Sequence, residues 1–359
     1  MSDLFQPIAS EQLIEWIFTE LECRDSIFGI PRRHFFVPSE DDPFRTTAFG
    51  HLLETPFGPA AGPHSQMAQN IVAAWLCGAR YIELKTVQTL DVLNVSKPCI
   101  DMEDEGYNVE WSQELRIHQS FEEYLRAWVL IHALHHKLGF PGDRPGMVFN
   151  LSVGYDLAGI QQANMQWFLD QVRDSSAYKN SLVEQVAGFH PGVSALDIPD
   201  CLSDSVTLST MHGCPPGEIE AICRYLMQER GLHTYVKCNP TLLGPERVRT
   251  ILNDDLDYSD VVVPDAAFQH DLKYEDALPL LNKLRATARD CGLEFGVKLS
   301  NTLEVENFRP VFSKSEQVVM VCIPAPSRAG ALKQSAPAEN DMGRSPAKSP
   351  DSTWARLTV

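Results

Sequence analysis

Long apolar runs are missing. No stretch of 18 apolar residues occurs in the 359-residue sequence, so no segment reads as a membrane-spanning helix. The amino end, MSDLFQPIASEQ, lacks the basic and apolar regions of a secretory signal. Positive charge is scarce: 30 Lys and Arg face 48 Asp and Glu, a net charge of −18, which argues against nucleic acid or an anionic membrane as the main partner. Cys-x-x-Cys is absent as well. The nine cysteines are odd in number and scattered, so neither a disulfide framework nor a zinc or iron–sulfur site within the chain is expected. They read as small core residues in a reducing compartment, which places the protein in the cytoplasm. No Gly-x-Gly-x-x-Gly turn opens a helix, which disfavours a doubly wound dinucleotide fold.

What is present has a clear rhythm. After a helical lead-in over residues 1–45, short apolar runs alternate with longer helical periods. FGPAA, RYIELKTV, GMVFNLSV, SVTLST, HTYVKCN, DVVVPD and EFGVKLS read as strands. QMAQNIVAAWLCGA, QSFEEYLRAWVLIHALHHKL, MQWFLDQVRDSS, PGEIEAICRYLMQERG, PERVRTILND and YEDALPLLNKLRATARDCG read as helices. This order predicts α/β architecture, a (β/α)8 TIM-type barrel over residues 46–315. QVVMVCI is the remaining candidate for a closing strand, so the barrel is expected to be incomplete at the C-terminal side. From residue 324 on, the chain turns rich in Pro, Ser, Ala and Gly and loses periodicity, which predicts a disordered tail to residue 359. The abrupt change reads either as a natural flexible tail or as a truncated or frame-disrupted coding sequence.

Side chains two apart on a strand share a face. Five strand ends carry polar doublets by that rule: Glu83 and Lys85, Asn150 and Ser152, Thr207 and Ser209, Lys237 and Asn239, Lys298 and Ser300. In a parallel barrel such ends converge on one mouth, where chemistry resides. Three lysines there call for an anionic partner. Glu83 can neutralise one, and a reduced flavin, negative near one edge of a flat ring, suits the others. The small residues of GPAAGP (58–63) would let backbone approach that ring, although a tight structural turn explains them equally well. In STMHGCPPGEIEAICRYL, Pro215 and Pro216 suit a helix start, which puts Cys214 beside free N–H groups and predicts a lowered thiol pKa, with His212 able to exchange its proton. Cys223 reads as structural. His132, His135 and His136 share a helix edge without a carboxylate and read as a solvated or partly buried edge rather than a metal site.

These motifs carry a resemblance. TPFGPAAGP, YIELKTV, NLSVGYD, LSTMHGCPPGEIEAICRYL and VKCNPT resemble the flavin barrels of dihydroorotate and dihydropyrimidine dehydrogenases. SIFGIP, GPAAGPHSQMAQNIV, KPCIDMEDE and NPTLLG resemble the N-terminal region of a large bacterial iron–sulfur flavoprotein family named for a selenate reductase subunit. The resemblance covers residues 1 to about 315. It implies FMN contacts from Ala60, Ala61 and Gly62 through backbone, from Lys85 and Thr86, from Lys237, and also from Asn150 and Asn239; Lys298 joins this cofactor-binding set from its place at a strand end. It implies a catalytic role for Cys214, near the catalytic cysteine of dihydropyrimidine dehydrogenase, with His212. FAD, NAD(P) and [4Fe-4S] clusters belong, by the same resemblance, to later parts of that family. The glycine-rich loop that holds the FMN phosphate in the related barrels is not seen, so weak FMN binding or none is expected.

Three functions stay open on the sequence. The first is the barrel portion of an NAD(P)H-linked flavin and iron–sulfur oxidoreductase acting on a small molecule. The second is a catalytically silent barrel that docks other redox domains or subunits. The third is a lyase or aldolase-type barrel with Lys85, Lys237 or Lys298 as a Schiff-base lysine.

Overall fold

The computed structural model describes residues 6–91, 100–101, 114–210, 214–269, 271–299, 302–306 and 318–322. His212, Ser300 and the segment expected to form a tail lie outside the described residues.

Five parallel strands form one sheet and lie side by side in chain order: β1 (Tyr81–Glu83), β2 (Val148–Val153), β3 (Ser205–Leu208), β4 (His233–Cys238) and β5 (Phe295–Leu299). Registers such as Glu83 with Asn150, Thr207 with Tyr235, and Lys237 with Lys298 set the polar side chains of neighbouring strands level with one another. Among the described residues, seven longer helices accompany them: α1 (Ser10–Arg24), α2 (Ala68–Leu76), α3 (Ile117–Leu138), α4 (Ala163–Arg173), α5 (Ser176–Ala187), α6 (Pro216–Gln228) and α7 (Tyr274–Asp290). This is the α/β barrel plan that the alternation predicts, since parallel neighbours need long crossovers.

The period of two decides what faces where. Phe149, Leu151, Val153, Val206, Leu208 and Val236 join the helices' Ile71, Trp75, Ile131, Leu134, Ile222, Leu226 and Leu284 in one large core. Each such buried side chain contributes roughly 1.5–3 kcal/mol. The alternate residues Glu83, Asn150, Ser152, Thr207 and Lys237 are buried too, on the inner side of the sheet. Strands covered on both faces are usual in parallel sheets, but here the inner set is polar.

The N-terminal end of the sheet is plugged. A hairpin pairs Thr46–Ala48 with His51–Leu53 through Phe49 and Gly50, both at positive φ, as a two-residue turn of this kind needs. Ala48, Phe49 and Leu53 then pack on Tyr81, Val148 and Tyr235. His51 Nε2 lies 2.7 Å from the Asp204 carboxylate, just ahead of β3.

Several expected elements come out differently. FGPAA is not a regular strand. Its backbone runs along β1, with Arg80 N and Tyr81 N donating to Phe57 O and Glu83 N to Pro59 O, but Pro59 has no N–H to return and the ladder stops. DVVVPD is irregular because β5 already occupies the edge of β4 and Pro264 lacks a donor. Its Val263 instead joins Val248, Leu252, Leu303 and Val305 in a small separate core. QVVMVCI does form a strand, Val318–Cys322, yet it pairs with Thr302–Glu306 and Ile100–Asp101 rather than with the five-stranded sheet. The helix read in PERVRTILND splits into an α-helix, Pro245–Arg249, and a π-helical stretch, Thr250–Asp255. Helix α5 has only Leu182 and Val186 buried, too faint an apolar period to predict.

Candidate functional site

All five strands point their C-terminal ends the same way, and the lysines meet there. Lys298 Nζ bonds the Glu83 carboxylate, two strands that are not hydrogen-bonded neighbours, so this buried ion pair spans the inner space from one edge of the sheet to the other. The same Glu83 Oε2 accepts from Ala61 N at 2.8 Å, which fixes the 58–62 turn over β1. Lys237 is buried, and burial first, then the charges of Lys298 and Lys85, push its pKa down to about 7 against the opposing pull of Glu83 and Asp271. Lys85, Lys237 and Lys298 therefore share one neighbourhood.

Hydroxyls and amides tie the walls together. Thr86 Oγ1 and Ser152 Oγ lie 2.7 Å apart, Asn150 Nδ2 donates to Thr207 Oγ1 at 2.7 Å, and Thr210 Oγ1 donates to the Lys237 carbonyl at 2.7 Å. Three buried acceptor atoms at this end, Glu83 Oε1, Asn150 Oδ1 and Asn239 Oδ1, have no protein partner. Below the ion pair the inner space, lined by Gly58, Tyr81, Thr207 and Tyr235 among others, is only about 20 Å³. That is room for a water and no more, so any larger ligand must sit above, at the mouth.

The turn that the sequence reads as a cofactor cradle is used differently. A Cβ on Gly58 would fall inside the Tyr81 carbonyl, so glycine is required there by the chain's own β1. At Gly62 a Cβ would stand 2.5 Å from Cε1 of the His64 ring. The Ala61 and Gly62 N–H groups are already bonded, to Glu83 and to Ser65 Oγ. These two backbone donors are thus already engaged within the chain, and Ala60 stays exposed beside them. Asn239 donates to Asp271 Oδ1 at 3.1 Å, and Asp271 in turn acts on Lys237.

Cys214 overturns its prediction. Helix α6 starts at Pro216 with Pro215 as cap, so the thiol sits outside the first turn. Partial burial, then the carboxylates of Glu218 and Asp156, push its pKa up to about 11. Cys223 is fully buried, as expected of a core residue. The histidine edge of α3 is also more interior than predicted. His132 and His135 are buried, with ring nitrogens on the Trp128 and Pro141 carbonyls, and burial holds His132 at about 4. Among the described residues no cluster of His, Cys, Asp or Glu is placed to hold a metal, and no helix is long and apolar enough to cross a membrane.

The sequence reading passed over three residues at this end: His64, Asp271 and Tyr155. His64 lies inside the very turn singled out. Its ring bonds the Ala60 backbone, and desolvation, with the Lys85 and Lys298 charges, lowers its pKa. Its position after GPAAGP was the available signal. Tyr155 carried none, since backbone strain is invisible in a string of letters.

Residues 28–322 match the family described as "Oxidoreductase YgfK, N-terminal TIM-barrel domain". Two curated relatives, from Escherichia coli strain K12 and from Escherichia coli O157:H7, both carry the name "Putative oxidoreductase YgfK" and are each 46% identical over 326 residues. The alignment covers 86% of this chain and 31% of either relative, so the chain spans under a third of their length. Neither name specifies a substrate. Among solved structures, a ligand-free DHODH from Eimeria tenella aligns over 80% of this chain and 81% of its own, at 12% identity and a TM-score of 0.35. With the family match running from the first turn after α1 to the last described strand, the chain belongs to the N-terminal TIM-barrel domain family of the YgfK oxidoreductases.

Proposed function

We propose that the mouth of this barrel holds a flavin and that the domain works in electron transfer to or from a small molecule. The observation that carries this reading is the convergence of Lys85, Lys237 and Lys298 around one carboxylate, Glu83, at the strand ends. The three lysines face the carboxylates of Glu83 and Asp271 in a largely desolvated place, and a flat ring that gains negative charge on reduction suits such a wall. The residues fit such a group: Lys85 and Lys237 as charge donors, Asn150 with its unpartnered Oδ1 as acceptor for a ring N–H, and Thr86 with Ser152 as hydroxyl neighbours. Bound there, a flavin would exchange a hydride equivalent with the substrate. Lys298, held by Glu83, fixes the floor and excludes bulk water beneath. The electron donor would be a separate centre of the NAD(P)H, FAD and iron–sulfur kind that the sequence resemblance implies.

Titration of the chain with riboflavin and with FMN, followed by quenching, tests the reading. Micromolar binding of both is expected, with Lys85→Gln weakening it about tenfold, or about 1.4 kcal/mol. No quenching by either flavin at tens of micromolar would sink it.

One observation favours a second reading. An amine titrating near 7 beside another ammonium is the setting in which a lysine becomes a nucleophile toward carbonyls. Borohydride trapping at Lys237 with a small aldehyde would support a Schiff-base role, and trapping equal to that of surface lysines would exclude it.

A further inference from the structure

Tyr155 has a backbone that a tyrosine avoids. Its φ is 106°, in the region that favours glycine, and it immediately follows β2 and Gly154 at the mouth. A strained, bulky residue persists only where its surroundings over-determine it, and such residues gather at functional sites.

The surroundings here are specific. The Tyr155 ring lies on Gly159, where any Cβ would overlap ring carbon Cδ1. Asp156 caps the short turn Leu157–Ile160 by accepting from Gly159 N at 2.7 Å, and Leu157 N donates to Glu218 Oε1 at 2.7 Å. The Cδ1 side of the ring is thus seated in a notch made by a missing side chain, and the main chain just after it is held at Leu157 and Gly159. Yet the residue remains 45% exposed. A ring this firmly seated, on a costly backbone, still presents its free side outward.

Its position ties it to the lysines. Gly154 sits between the Thr86 methyl and Ser209, and Thr86 follows Lys85 directly. The Tyr155 loop therefore stands on the rim between the loop after β1 and the loop after β3.

We infer that Tyr155 is a fixed stacking platform for a planar, carbonyl-bearing conjugated ring entering the mouth. The aromatic face supplies the stack, which is sequence-tolerant and favours flat π systems. The lysines beyond the rim donate only, so they select rings that carry carbonyl acceptors. This inference goes beyond the flavin reading and does not require the flavin itself to be the ring that stacks.

Wild type, Tyr155→Phe, Tyr155→Gly and Tyr155→Ala are compared by calorimetric titration with three probes: riboflavin, menadione and, as a non-planar control, cyclohexane-1,4-dione. Thermal midpoints are measured alongside. At least one planar probe is expected to bind wild type and Tyr155→Phe within about threefold of each other, and the Gly and Ala variants about tenfold or more weakly. Cyclohexane-1,4-dione should not distinguish the four. The Gly variant should melt at or above wild type, because it adopts the same φ without strain, and above the Ala variant, which keeps the strain without the ring. Equal planar-probe binding by Gly and wild type, equal loss in Phe and Gly, or no binding of either planar probe by wild type would each overturn the proposal. A Gly variant melting below the Ala variant would remove its strain argument and overturn it too. Failure with riboflavin alone, with Tyr155-dependent menadione binding intact, would sink the flavin reading and leave this one standing.

Discussion

At the scale of single residues, burial and neighbouring charge decide what local sequence cannot. Cys214 is the plainest case. A cysteine ahead of a helix start ought to gain from the dipole, but the effect fades within the first turn and Cys214 stands outside it. Desolvation and two carboxylates win, and the thiol titrates at about 11. Alkylation of Cys214 by iodoacetamide is therefore expected to be slow at pH 7.5 and to rise with pH to beyond 10. A rate plateau below pH 8.5 would restore the reactive thiol. Lys237 makes the opposite point, since its shift has a stability consequence. Its folded pKa of about 7 lies below the ~10.4 of an unfolded lysine, so the unfolded chain binds more protons between those values and stability rises with pH across that window. Replacement by methionine should stabilise the protein at pH 7 relative to its effect at higher pH, the difference shrinking toward pH 10.5. Urea unfolding at the two pH values measures it. An equal effect of Lys237→Met at both would mean that the ammonium is better compensated than this argument holds.

At the scale of elements, the sequence showed the strands and helices well and the turns poorly. The polar doublets of β1 to β5 were legible because a period of two survives in any window, and burial of both faces only sharpens it. DVVVPD was misread for a reason no local pattern contains: a strand needs a free edge, and β5 had taken it. GPAAGP was read for the right property, close approach to backbone, but the approaching atoms belong to Tyr81 and His64. That distinction has a measurable form. Gly58→Ala drives a methyl into a main-chain carbonyl that cannot move without disturbing β1, which should cost roughly 1–3 kcal/mol by the usual range for overpacking. Gly62→Ala meets the His64 ring rather than main chain, and a side chain can shift at the cost of its bond to the Ala60 backbone, so a penalty smaller than that of Gly58→Ala, about 1 kcal/mol or less, is expected. Thermal unfolding of the two variants decides it, and equal penalties would show that the 58–62 turn is held as one rigid unit.

At the scale of the whole molecule, the two ends of the sheet have different work. The C-terminal end gathers cations, orphaned acceptors and a strained tyrosine. The N-terminal end is sealed by the hairpin, whose Phe49 also stacks on His233 at 4.9 Å between centroids. In barrels of this kind residues at the first end serve chemistry and those at the second serve stability. The His51–Asp204 pair tests whether that division holds here. The Asp204 hydrogen bond raises the His51 pKa; burial works against ionised Asp204, but His51 wins and lowers it. The His51 contribution is therefore full below pH ~6.5 and is lost as pH rises through its raised folded value, while the Asp204 contribution is present above ~3.8 and is lost as pH falls through its lowered one. The pair is half exposed, so its worth is within about 1 kcal/mol. Asp204→Asn should lower the thermal midpoint most between pH 5 and about 6.5, with the difference fading toward pH 9. Flavin affinity of that variant should equal wild type, because the lysine mouth lies at the other end of every strand. Lys85→Gln should weaken flavin while leaving the His51–Asp204 pair as it is. Loss of flavin affinity in Asp204→Asn as large as in Lys85→Gln, with the fold intact, would mean that the plug sets the geometry of the mouth and that the two ends act as one.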